Sequence, residues 1–505
     1  MRPSSSRAAL ARPRVGSSLL LGALGAGLAL ALVRPTAAAA QDDEARRRSF
    51  STPPSGDTVG YWQQRVHYRI VATLDEAAQR LRATGELTYV NASPDTLREL
   101  YVHQYLNAFR PGSRWSADDE REGRTRFQRL RDPDHGYERF TTAPVIDGVA
   151  VTPVYPYAPD STVVRLALPR ALRPGDSVRV SFNWDARPST VARRQGRRGR
   201  HWDFAQWYPK VAVYDRGGWQ HTPLRPAGEF YGEFGTYDVT MVVRDDQVLT
   251  ASGVPVAGDP GWERARRWGT VRLGADVYPD LPSPPTAVVP EGHKAVRFVA
   301  RDVHHFAWTT SPDYRYEGGV YVRPAQARFR TWDTVHVYTL YRPGDEAAWG
   351  NGVAVNRTIR ALRWLESIFG TYAYPAMGSV HRIDGGGTEF PMLMMNGSAS
   401  QGLILHEGGH IYTYGILANN EWAAGWLDEG LSSYQTSWAL DLTAPERAVA
   451  RTTEPPRRIP TGYRDQAVTM RGDDLAFLGQ HRLELQGRAE PIGTIAHEFT
   501  EFGIY

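Results

Sequence analysis

The sequence predicts an α+β multidomain protein, with a β-sandwich-like N-terminal region to about residue 330 and a mainly helical region after it. Two observations predict this. Up to about residue 330 the apolar residues recur in short alternating segments punctuated by Pro, Gly, Asn and Asp, as in strands joined by turns. Beyond about residue 350 they recur at three- and four-residue spacing, as in amphipathic helices. The 505 residues include no cysteine, so the fold must be stabilised by its own packing, and thiol ligands and thiol catalysis are excluded.

Residues 1–40 stand apart from any fold. Arg2, Arg7, Arg12 and Arg14 precede a Leu/Ala/Gly-rich stretch over residues 17–33, and Ala38 and Ala40 form a small-x-small cleavage site before Gln41. This is the pattern of a secretory signal peptide, and it predicts export to the periplasm or the extracellular space; an uncleaved anchor is the alternative. No later stretch is long and apolar enough to span a bilayer, so no stable membrane span is expected after cleavage. The formal charge of +4 resides in this leader. Removing its five arginines leaves 54 basic residues against 55 acidic, a net charge of −1 that offers no argument for nucleic acid. The richest basic run, residues 193–200, lies among Gly and Ser/Thr and reads as a solvated loop.

Residues 41–60 read as a flexible tether, 61–330 as the β-rich region and 331–505 as the second domain. Strands are expected at residues 66–72, 85–90, 97–102, 177–182, 237–243, 295–299 and 335–340. Residues 356–369 place Ile359, Leu362, Leu365, Ile368 and Phe369 at helical spacing, with Gly370 as the stop. Two further helices are expected at 398–417 and from 429 to 441.

The chemistry lies in these last two helices. His406-Glu407-Gly408-Gly409-His410 is a His-Glu-x-x-His pattern. Residues four apart share one helical face at about 5–6 Å between Cβ atoms, so both imidazoles can bind one Zn²⁺. Glu407 follows the first ligand and is placed to take the proton of an attacking water. Residues 403–405 (LIL) are apolar, which marks a buried helix, and burying two His and a Glu without a metal would cost several kcal/mol, roughly. Glu429 lies eighteen intervening residues after His410, room for a loop and a returning helix to supply a third ligand. A Glu helped by a helix N-terminus is the plain alternative for that residue alone.

The chain resembles the aminopeptidase N family of gluzincin zinc metallopeptidases. The resemblance rests on His406-Glu407-x-x-His410, on Glu429 in Trp426-Leu427-Asp428-Glu429-Gly430, on Gly386-Gly387-Thr388-Glu389-Phe390-Pro391, and on the order of a β-rich region before the metal motif. It implies a thermolysin-like catalytic domain and one Zn²⁺ held by His406, His410 and Glu429. It implies that Glu407 is the general base. Gly386, Gly387 and Glu389 would form the substrate edge, with Glu389 pairing with the free N-terminus of a peptide substrate; an edge-strand charge is the alternative. Gln206 resembles a glutamine that the family's β-region lends to the substrate site, and an ordinary turn residue is the alternative. The segment 386–391 is expected to be an extended edge strand facing the metal helix.

Departures from the family pattern leave other readings open. Thr388 stands where the family prefers Met, and Gly408 and Gly409 lie inside the metal helix at a cost of about 1 kcal/mol each relative to Ala. The family's downstream oxyanion tyrosine has only Tyr505 at the expected distance, as though the domain were truncated there. The alternatives are a thermolysin-like endopeptidase and a zinc-binding but catalytically inert protein.

Overall fold

The computed structural model describes residues 62–227, 229–323, 332–443 and 480–498. The leader, the tether and Tyr505 lie outside the described residues.

Alternating sequence becomes a twisted 9-stranded sheet. Its centre is Arg65–Asp75, antiparallel to Arg80–Val90 and parallel to Gly235–Arg244. Burial along Arg65–Asp75 alternates residue by residue, the signature of a strand with one face in the core. Ser177–Arg187 and His293–Val303 extend the sheet on either side. Against it lies an aromatic layer: Tyr68 stacks on Tyr237 at 5.1 Å, and Trp207 lies 6.2 Å from both Trp184 and Trp308. Trp308 belongs to a 4-stranded sheet that also holds His201–Phe204. The indole N–H of Trp207 donates to Phe306 O and that of Trp184 donates to Trp207 O, so these large side chains are buried with their donors satisfied. A short helix, α1 (Arg114–Arg121), is capped by Ser113 and packs through Trp115.

The second part is built on a 6-stranded sheet in the order Arg266–Gly269, Arg315–Val322, Thr334–Tyr341, Ala376–His381, Leu393–Asn396, Glu389–Phe390. Thr334–Tyr341 and Ala376–His381 run parallel, joined by helix α2 (Val353–Phe369), which packs back on the sheet. Gly370, at φ 101°, ends α2. Helix α3 (Gln401–His410), capped by the Ser400 hydroxyl accepting from Leu403 N, lies between α2 and α4 (Leu431–Thr443). The expectation of a mainly helical second domain therefore needs correction, because helices and a mixed sheet build it together. Local periodicity identified α2 to α4 but understated strands as short as Glu389–Phe390.

The 386–391 edge also differs from expectation. Only Glu389 and Phe390 are extended, pairing antiparallel with Met394 and Leu393. Gly386 has a left-handed φ of 75°, so the segment enters through a turn rather than as a continuous strand.

Candidate active site

Both elements that carry the expected ligands depart from regular α-helix at the site. α3 continues past His410 as a π-helical segment, Ile411–Ile416, and Glu429 lies in the π-helical segment Trp426–Gly430 that leads into α4. Such widened turns re-aim side chains and occur often at functional sites. Here they accompany the convergence of three donors. The Nε2 atoms of His406 and His410 lie 3.0 Å apart, and Glu429 Oε2 lies 3.1 Å from the first and 3.4 Å from the second.

These three donors fit a zinc ion. A tetrahedral ion with bonds of about 2.0–2.1 Å separates its ligand atoms by about 3.3 Å, close to the spacing found. Glu429 Oε2 is moreover a buried carboxylate oxygen whose neighbours at the triad are the two imidazole nitrogens. Burial favours the neutral carboxyl, but His410 and hydrogen bonds from both imidazoles outweigh it and hold Glu429 down at about 2, ionised as a ligand must be.

Asp428, fully buried, takes the other ring nitrogen of His410 through a short Nδ1 to Oδ1 hydrogen bond. This contact orients the ring and leaves its Nε2 lone pair facing the triad. Glu407 lies beside the triad, buried, with its carboxylate against Gly387. Burial, reinforced by Glu389 and opposed by the two histidines, raises its pKa to about 7. A divalent cation at the triad would add positive charge beside it and lower it again.

Glu389 reaches the same place from the sheet edge. Its carboxylate lies within 4.8 Å of ligand atoms of His410, Glu421 and Asp428, all buried. Arg194 approaches from the β-rich region, with Nη1 3.9 Å from Glu389 Oε1, and forms a short ion pair with Glu229. Burial raises Glu229 to about 8 against the pull of Arg194, and its Oε2 has no donor. Arg194, Glu229, Glu421 and Asp428 were not found from sequence. Asp428 had a signal, being adjacent to Glu429 in the matching motif, whereas the other three sit in segments with no pattern.

Gln206 is buried at a left-handed φ of 52°, with Nε2 2.6 Å from His305 Nδ1 and Oε1 unpaired. It lines a cleft with Arg194 and Phe230. Gly386 is a turn residue whose carbonyl accepts from Gly397 N at 2.7 Å. Gly387 gives Glu407 its room. Thr388 donates to Gly387 O and accepts from Arg382, so a polar clamp stands where the family prefers Met.

The basic run 193–200 is not a solvated loop. Gly196–Arg198 pairs with His201–Phe204, Arg197 is buried and donates to Pro188 O and Pro133 O, and Arg200 joins Glu76 to Asp246. Composition predicted exposure, but the guanidiniums of Arg194, Arg197 and Arg200 have found carbonyl or carboxylate partners.

Arranged in this way, two imidazoles and a carboxylate converge on one point, with the buried carboxylates of Glu407 and Glu389 beside it. The fold is shared with solved M1 zinc metallopeptidases. A point mutant of the enzyme from Deinococcus radiodurans superimposes with a TM-score of 0.52 at 17% identity, over 88% of this chain and 80% of that one. The same mutant bound to a Tyr-Ser-Ala substrate gives 0.54 at 17% identity, over 89% and 81%. A two-domain M1 zinc metallopeptidase mutant bound to L-tryptophan gives 0.54 at 17% identity, over 89% and 82%. No protein-family model and no curated protein matches the sequence.

Proposed function

We propose that the chain is a zinc-dependent metallopeptidase that removes residues from the free N-terminus of peptides. The observation that carries this reading is the convergence of His406, His410 and Glu429 beside Glu407, with Glu389 on the same floor. His406 Nε2, His410 Nε2 and the Glu429 carboxylate would hold the metal. Bound there, Zn²⁺ supplies Lewis-acid polarisation of a carbonyl and acidifies water. Glu407 accepts the proton of the attacking water on its carboxylate and returns it to the departing amine nitrogen. Asp428 keeps His410 in one tautomer. Glu389, buried at the sheet edge beside the triad, offers a carboxylate to an α-ammonium group. The neighbouring folds that hold a tripeptide and an amino acid support this reading.

Glu407→Gln should retain zinc and lose hydrolysis. Rates for an aminoacyl amide and its N-acetylated twin should differ by about 10²-fold or more, as expected when a charge-assisted anchor is lost. Equal turnover of the two points instead to an endopeptidase, and absence of turnover in the zinc-loaded protein points to an inert binder. We further propose export, on the strength of residues 1–40, which fractionation of cells carrying the full chain tests. Among the described residues no helix is long and apolar enough to cross a membrane.

A further inference from the structure

The turn between Ala376–His381 and Glu389–Phe390 contains three successive glycines, Gly385, Gly386 and Gly387. Such a run has no conformational preference of its own. Gly386 is left-handed at φ 75°, and a methyl at Gly385 would meet nothing within 4 Å. Yet this turn sets Gly387 against the Glu407 carboxylate. Its shape and its seat must come from bonds made around it. Arg382 donates to Gly385 O, Gly387 O and Thr388 Oγ1 and pairs with Asp384 at 2.9 Å. These bonds are internal to residues 382–388, so they shape the turn and leave its seat on the molecule to others. The far side is tied to its own sheet, where Met395 N donates to Thr388 O at 2.9 Å and Gly397 N to Gly386 O at 2.7 Å. The entry side is held from the β-rich region. Ile383 N donates to Asp203 Oδ2 at 2.8 Å, the Tyr314 hydroxyl donates to His381 O at 2.7 Å, and Asp384 accepts from the Arg194 backbone.

Asp203, on the strand His201–Phe204, is only 1% exposed and has no part in the chemistry described above. Its Oδ1 accepts from the Thr309 hydroxyl at 2.7 Å and lies 3.1 Å from His201 Nε2. That ring nitrogen lies 2.8 Å from the Tyr314 hydroxyl, so the ties at Ile383 and His381 belong to one buried network. Burial opposes the charge of Asp203, but His201 and the hydrogen bonds from His201, Thr309 and Ile383 N outweigh it and hold the carboxyl below the ordinary range. An ionised acceptor grips an N–H more strongly than a neutral one. We propose that Asp203 is a positioning residue for hydrolysis: through Ile383 N it lets the β-rich region seat the glycine turn that in turn seats Glu407. The inference rests on the peptidase reading above, with Glu407 as the base.

Steady-state kinetics of the zinc-loaded full chain on an aminoacyl amide test this. Asp203→Ala should lower kcat by about tenfold or more, as a misplaced catalytic group does. KM should stay within about twofold, because Glu389 keeps its own pairing with Met394. Zinc affinity should be unchanged, since the triad lies on other elements. Tyr314→Phe frees the same turn at His381 O and should show the same split, which keeps the test open if Asp203→Ala does not fold. Tyr338→Phe is the control. It breaks a buried 2.7 Å bond to Thr250 that also joins the two regions but involves no residue of the turn. It should lower the melting temperature and leave kcat alone. Parental kcat in the Asp203 and Tyr314 variants, or an equal fall in Tyr338→Phe, overturns the proposal. Amide exchange over residues 383–388 reads the tie without turnover. Faster exchange in the Asp203 and Tyr314 variants supports the tie, and unchanged exchange overturns it. If the parent hydrolyses nothing, the peptidase reading fails and the catalytic role with it, while exchange still decides whether Asp203 holds the turn.

Discussion

Gly387 abuts the carboxylate of Glu407 so closely that a methyl group at position 387 would overlap Oε1, Cδ and Cγ of that side chain. The backbone of Gly387 is itself held, because its carbonyl accepts from Arg382 and Thr388. A side chain there must therefore displace the base rather than the loop. Gly387→Ala is expected to retain zinc and a near-parental melting temperature while kcat falls by about 10²-fold, the usual cost of a misplaced catalytic group. Metal analysis with single-turnover kinetics checks this. An unchanged kcat would mean that Glu407 does not act from the position found.

Asp428 and His410 form the buried pair that orients a proposed metal ligand. Asp428→Asn preserves shape but removes the charge that fixes the Nδ1 proton. Zinc affinity should fall by about 10–100-fold, with kcat affected less once the site is saturated. Competition with a chelator measures it. If zinc affinity is unchanged, the pair is ordinary core packing.

The legible parts of the molecule are those encoded locally. Residues 66–72 alternate because one face of Arg65–Asp75 is buried, and the apolar spacing of 356–369 places Leu362 and Leu365 inward in α2. His406, His410 and Glu429 were readable because their spacing is itself geometry. Arg194 and Glu229 were not, since they reach Glu389 through tertiary packing of segments with no period. The run 193–200 misled for the same reason, because composition reports charge density and not the carbonyls that Arg197 finds at Pro188 and Pro133. The π-helical segments at Ile411–Ile416 and Trp426–Gly430 left no composition signal either.

Glu138, in Tyr137–Phe140, is a buried carboxylate with no partner on either oxygen, and burial raises its pKa well above the ordinary 4.5. Folded protein therefore keeps a proton that the unfolded chain releases. Its contribution to stability is fully present below pH 4.5 and is lost as pH rises through the folded value. Glu138→Gln removes the charge and with it this slope. Relative to the parent, the variant should gain melting temperature progressively from pH 5 to pH 8 and gain least at about pH 4. Parallel melting curves across that range would show that water reaches the carboxylate.

Gly408 and Gly409 cost α3 about 1 kcal/mol each in propensity, and only one of them is needed for packing. At position 409 a methyl would stand 2.6 Å from Gln435 Nε2 and 3.4 Å from Ser432 Oγ, both on α4. Gln435 is not free to yield. Its Nε2 donates to Leu405 O at 2.7 Å and to Ser432 O at 3.0 Å, while its Oε1 accepts from Trp364 Nε1 at 3.0 Å. Gly409 is thus explained by the close approach of α4, the helix entered through Glu429, and not by a substrate. At position 408 the nearest atom is the terminal Cδ1 of Leu365, at 3.0 Å, which a rotamer adjustment relieves. Gly408→Ala should therefore lie within about 1 kcal/mol of the parent, propensity gain offsetting the crowding. Gly409→Ala should lose about 1–3 kcal/mol, since overpacking and strained hydrogen bonds exceed the same gain. By moving α4 it should also weaken zinc binding, which Gly408→Ala leaves intact. Denaturant titration and zinc competition on the two variants decide the matter, and equal stabilities would remove the helix–helix explanation for the second glycine.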